Sequence, residues 1–206
     1  MKPLSLQFCL ILLFIHLSSY GQSIDSLNFN VSFNYYKDLS DTYGGGSMFS
    51  GEFEVFRAWY GASISFGHFQ SQSTFVFKVP VEETSSILEI PFDEMAIMNM
   101  GSFSFILIPI QGKRINTELL IGAVIGKAKN LSFKSVDYSY NINENRFTYL
   151  YKDYQLVTRN HFGYQVGVDV SFYFFKKAGL QLNARIQDLS NGGTFFFVGG
   201  GLCFRL

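Results

Sequence analysis

Asp169 and Arg185 are oppositely charged residues set in apolar runs, "GYQVGVDVSFYFF" (163–175) and "GLQLNARIQDL" (179–189). An unpaired carboxylate buried in a core costs several kcal/mol or more. A guanidinium opposite it would offset that cost through a charge-assisted hydrogen bond. The alternative is that both groups are solvated, because exposed ion pairs contribute little. The other groups that could do chemistry are sparse. His68 and His161 are the only histidines beyond the apolar leader. His68 has serines nearby, as a Ser–His nucleophile would need, but serine is common throughout, and an interfacial histidine is the simpler reading. No closely spaced His, Cys or carboxylate set resembles a metal site. "YGGGS" (43–47) lacks the following helix of a phosphate loop. We therefore expect no catalytic residues, no metal and no cofactor.

The elements that position Asp169 and Arg185 follow a period of two. Tyr164, Val166, Val168, Val170, Phe172 and Phe174 fall on one face, and Asp169 falls on the other with Gln165 and Ser171. Leu180, Leu182, Ala184 and Ile186 repeat the pattern against Gln181, Asn183, Arg185 and Gln187. A turn at "KKAG" (176–179) would pair Phe174 with Leu180 and set Asp169 opposite Arg185, matching the apolar faces. The same alternation runs through 27–37, 48–57, 59–69, 101–110, 116–127 and 194–206. That gives eight strands of roughly ten residues, enough for a tilted strand to cross a membrane.

Composition narrows the setting. Lys+Arg and Asp+Glu are both 16, so no basic excess is available for phosphates, and nucleic acid is not expected as a partner. Phe (24) and Tyr (12) are abundant while charged residues make up 16%. Lys2, the apolar "LQFCLILLFIHL" and the small residues ending at Gly21 read as a signal peptide, 1–21, ahead of one domain, 22–206. Beyond that leader only Cys203 remains, so no internal disulfide is expected.

Alternation alone does not say which face points outward. The polar faces carry Gly, Ser, Asn and Gln rather than Lys and Glu, which suits a crowded lumen. The apolar faces are continuous and end in aromatics, like the girdles at a membrane boundary. Glu52, Glu54, Glu118 and Arg205 would then point inward with Asp169 and Arg185. Connections alternate long and short, as in membrane barrels with short periplasmic turns, except that the last outer loop, "LSNGG" (189–193), is short. Residues 73–95 form either a hairpin above the membrane or two more spanning strands, making ten. Residues 137–154 read as a hairpin extending the fifth and sixth strands.

The leader, the amphipathic strands and the terminal "GGGLCFRL" resemble the small outer-membrane β-barrel family of Gram-negative bacteria. In that family the terminal strand is an assembly signal ending in an aromatic. Here Leu206 takes that place, with Phe204 two residues before it. The resemblance implies an all-β, antiparallel up-and-down transmembrane barrel in the outer membrane. Its partners would be outer-membrane lipid, the barrel-assembly machinery through the C-terminal strand, and an extracellular or envelope partner. Tyr138, Tyr140, Tyr149, Tyr151 and Tyr154 are the candidate binding residues, being rigid amphipathic side chains of the kind enriched at interfaces. Their alternative role is cross-strand packing. The expected function is a non-catalytic structural or binding one. A narrow channel or envelope-assembly subunit is second, and a soluble exported barrel holding an apolar ligand is third.

Overall fold

The computed structural model describes residues 27–40, 42–81, 86–144 and 146–206. The expected signal peptide, 1–21, lies outside them. Eight antiparallel strands close into a barrel: β1 (Asn28–Asp38), β2 (Gly46–Arg57), β3 (Tyr60–Val81), β4 (Ser86–Gln111), β5 (Ile115–Asn141), β6 (Arg146–Tyr173), β7 (Ala178–Leu189) and β8 (Gly193–Arg205). Each strand pairs with its sequence neighbours, and β8 returns to β1, with Val31 opposite Phe204 and Asn34 opposite Gly201.

The barrel is inside-out relative to a soluble one. Phe33, Phe66, Phe103, Ile121, Phe162 and Leu182 are exposed on its outer wall, while Ser32, Ser65, Ser102, Gln165 and Asn183 are buried in its lumen. Apolar surface around a whole circumference is stable in hydrocarbon and not in water. This overturns the soluble ligand-binding alternative, because the lumen offers no apolar ligand chamber through its polar middle. Among the described residues no helix is long and apolar enough to cross a membrane. The crossing falls to the strands.

The structure decides for eight strands, not ten. Residues 73–81 and 86–95 do not cross the membrane a second time; they belong to β3 and β4, whose pairing continues out to Val81 opposite Ser86. β5 and β6 likewise pair as far as Asn141 opposite Arg146. The expected uniform length of about ten residues is therefore corrected. β1, β2, β7 and β8 have 11 to 13 residues, but β3 to β6 have 22 to 28. The ladder between β4 and β5 stops at Met95 opposite Leu131, so the two outer hairpins stand as separate ribbons. Pro109 cannot donate to a ladder, and the β4–β5 register shifts between Leu107 and Ile110 around it.

A glycine is required where β8 meets β1. A side chain on Gly201 would strike the Phe33 carbonyl oxygen and the Asn34 side chain. The bare backbone leaves lumen space for Asn34 opposite it. We expect the barrel to migrate differently in gels before and after boiling, and Gly201→Val to shrink the unboiled folded band. Ile121→Arg, on the lipid face of β5, should cost about 2–4 kcal/mol in urea titrations of barrel folded into vesicles. No change in folding free energy would contradict the lipid-facing assignment.

Candidate functional site in the lumen and outer hairpins

The lumen is layered. Toward the hairpin end lies an aromatic plug of Tyr36, Phe69, Phe195 and Phe197 with Met48, Met98 and Met100, and Tyr43 packs against it. Phe195 and Phe197 stack with centroids 5.5 Å apart, and Phe69 meets both edge-on. Toward the short turns lies a smaller cluster of Phe56, Ile106, Ile108 and Leu120. Beside that end Arg205 sits 3.6 Å over the Tyr173 ring and donates to Asn116 at 3.1 Å. Polar groups fill the space between. Gln165 donates to Ser102 and Ser104, and Gln187 donates to Gln165 at 2.9 Å.

The structure brings Asp169 and Arg185 together, with Arg185 Nη2 donating to Asp169 Oδ2 at 2.7 Å. The same nitrogen donates to Glu52 Oε2 at 2.5 Å, so the pair is in fact a triad drawn from β2, β6 and β7. Arg185 also lies against the Tyr36 ring, 5.5 Å from its centroid. Glu54 and Glu118 are equally buried, and Asn30 donates to Glu54 at 3.0 Å.

The register differs from expectation by two residues. Phe172, not Phe174, faces Leu180; Asp169 faces Asn183, and Arg185 faces Gly167. The strand β6 ends at Tyr173, whose N–H is taken by the Arg114 carbonyl of the neighbouring turn. The reversal then uses 174–177, closed by Phe175 N–H to the Ala178 carbonyl. A two-residue slip keeps every side chain on its face, so alternation could not detect it. Arg185 reaches Asp169 diagonally, along its long side chain.

The five tyrosines divide by role. Tyr154 packs onto Phe92 in a cluster with Val79, Ile90 and Phe133 that holds the two outer hairpins together. Tyr138 and Tyr140 meet Phe147 edge-on. Tyr149 and Tyr151 are exposed on one side of β6. Lys152 ties the hairpins further, donating to the Pro91 carbonyl at 2.5 Å. On the β5–β6 hairpin Lys134 bonds Asp153 at 2.7 Å, a contact that raises its proton affinity above that of an ordinary lysine.

Among the described residues neither histidine bonds a serine hydroxyl. His68, on the outer wall, pairs with Asn99 across the ladder at 2.7 Å, and His161 bonds the Ser190 carbonyl at 2.9 Å. Sequence reasoning missed the aromatic plug. Its signal was present in "TFFFVGGG": the lumen positions of β8 read Phe195, Phe197, Gly199, Gly201, large then small.

No family model matches the chain, and neither does any curated protein. Solved structures do. A major outer membrane protein from Thermus thermophilus aligns at a TM-score of 0.53 and 12% identity, covering 88% of this chain and 100% of that one. The fold is that of an outer-membrane β-barrel. Neisserial surface protein A (TM-score 0.48, 11% identity) and the Yersinia pestis attachment invasion locus protein Ail (0.47, 12%) each cover 87% of this chain, and this chain covers 97% of each. At these identities the likeness concerns the fold alone. With its apolar wall and polar lumen, the barrel is placed in the outer membrane.

Removing the guanidinium should be costly, because Glu52 and Asp169 would lose their shared donor. Arg185→Met is expected to destabilise the refolded barrel by roughly 3–5 kcal/mol in urea titration. Adding Glu52→Gln and Asp169→Asn to it should restore much of that loss. An unaltered midpoint in the single variant would show that the triad contributes nothing to stability.

Proposed function

We propose that the barrel is a non-catalytic anchor that presents its two outer hairpins to an extracellular or envelope partner. The observation that carries this reading is the continuation of β3–β4 and β5–β6 beyond the end of the β4–β5 ladder. Each hairpin is stiffened by its own ladder, and the two lean on one apolar cluster. Past that ladder, among the described residues, neither β4 nor β5 has a strand partner outside its own hairpin. Strand edges of this kind pair readily with an added strand. Tyr149 and Tyr151 add exposed aromatic surface beside one of them.

The lumen supports an anchor over a conduit. Aromatic and aliphatic layers lie on either side of the polar middle. The enclosed cavity beside Ser50, Ser65, Ser102 and Gln187 is about 10 Å³, roughly the space of one water. Outer-membrane lipid is the solvent of the wall. The barrel-assembly machinery would read β8, whose outward residues Phe196, Val198, Leu202 and Phe204 alternate up to Leu206.

A photo-crosslinking residue placed at Tyr149 or Tyr151 in intact cells should yield discrete protein adducts. The same probe at lipid-facing Ile121 should not. Adducts absent from both tyrosine positions, together with steady single-channel conductance in a planar bilayer, would replace the anchor reading with that of a narrow channel.

A further inference from the structure

The acidic groups of the lumen outnumber their cation. Glu52 and Glu54 on β2, Glu118 on β5 and Asp169 on β6 are each at most 2% exposed, and Arg185 is the cation among them. The next cation toward the short turns, Arg205, is engaged with Tyr173, Asn116 and the carbonyls of Gly112 and Lys113. Four carboxyl groups cannot all be ionised beside one guanidinium in a buried interior without a further positive charge.

The geometry shows where that charge would sit. Glu52, Glu54 and Asp169 each offer an oxygen, and these oxygens lie within 4.8 Å of one another. Oxygens on opposite sides of a calcium ion, at roughly 2.3–2.6 Å from it, are separated by about this distance. Arg185 and Asn30 occupy one oxygen each of Glu52, Asp169 and Glu54, leaving Glu52 Oε1, Glu54 Oε1 and Asp169 Oδ1 without a hydrogen-bond donor. Glu118 supplies an independent indication. It is 1% exposed, pairs across the ladder with Asp169, and has no donor on either oxygen. A fully buried carboxyl group turned toward other carboxyl groups, with no donor of its own, needs either a proton or a metal ion.

We propose that the lumen binds one calcium-sized divalent cation between Glu52, Glu54 and Asp169, with Glu118 beside them. The donor set is all oxygen, which selects a hard cation over zinc or copper. Magnesium demands shorter bonds in near-ideal octahedral geometry, whereas calcium accepts an irregular oxygen set. The ion enters as the barrel closes and is then held between the aromatic plug and the cluster around Phe56. It neutralises two of the three excess charges. The last lies toward Arg205, whose partner Asn116 is two residues before Glu118 on the same face of β5. This site is independent of the hairpins and of what they bind.

The test is to refold the barrel in zwitterionic detergent with millimolar CaCl2, pass it into metal-free buffer, and measure calcium by elemental analysis. One calcium per folded chain is expected. Terbium should occupy the same site and luminesce through tyrosine excitation, with Tyr36→Phe dimming the signal because Tyr36 flanks Arg185. Glu54→Gln and Glu118→Gln should each weaken calcium binding at least tenfold, while Asp153→Asn on the outer hairpin should leave it unchanged. If a lumen variant does not fold, the wild-type stoichiometry still decides. A wild-type barrel that retains no calcium, or calcium content unchanged in both glutamine variants, would overturn the proposal. A Glu118→Gln barrel whose heat-shift midpoint rises, in a protein indifferent to calcium and chelator, would mean that the carboxyl groups hold protons instead.

Discussion

In hydrocarbon no backbone N–H or C=O can turn to water, so every strand crossing the membrane must be paired on both edges. The seam between β8 and β1 is where this protein meets that requirement. Closing it fixes the number of strands, their alternation and the size of the lumen. It also explains the glycines of β8. Gly199 and Gly201 face Tyr36 and Asn34 across the seam, and a side chain at either would collide with β1 before the ladder could form.

Closure at eight strands leaves an interior just wide enough to be filled by side chains. This chain fills it in layers of different chemistry. The aromatic plug and the Phe56 cluster supply packing, whereas the middle holds carboxyl groups, amides and one guanidinium. A buried charge removed from its partner is expensive, so the middle layer specifies one arrangement of β2, β5, β6 and β7. The hairpins are stabilised differently. Beyond the end of the β4–β5 ladder they depend on their own ladders and on the Phe92–Phe133–Tyr154 contacts, with both outer edges of each ribbon left without a ladder among the described residues.

The same residues show how far local pattern reaches. Alternation located the faces of all eight strands, and the composition of the polar faces turned Glu52, Glu54, Glu118, Asp169 and Arg185 inward. It did not locate their neighbours. Asp169 and Arg185 meet diagonally rather than directly opposite, and Glu52, 133 residues from Arg185, completes the triad. The tyrosines behave likewise. Tyr154, Tyr149 and Tyr151 look alike in sequence, yet one is packed against Phe92 and the other two are exposed.

The sequence by itself determined an all-β barrel, because a period of two is a local property that each strand carries alone, and the small uncharged residues of the polar faces turned the apolar faces outward. It also determined that Asp169 could not lie in the apolar layer. Only the tertiary structure decided eight strands over ten, the two-residue offset between β6 and β7, and the gathering of four carboxyl groups around one arginine. Those depend on which strand lies beside which and on where each turn reverses. A slip of two residues leaves the facial pattern untouched while changing every cross-strand neighbour.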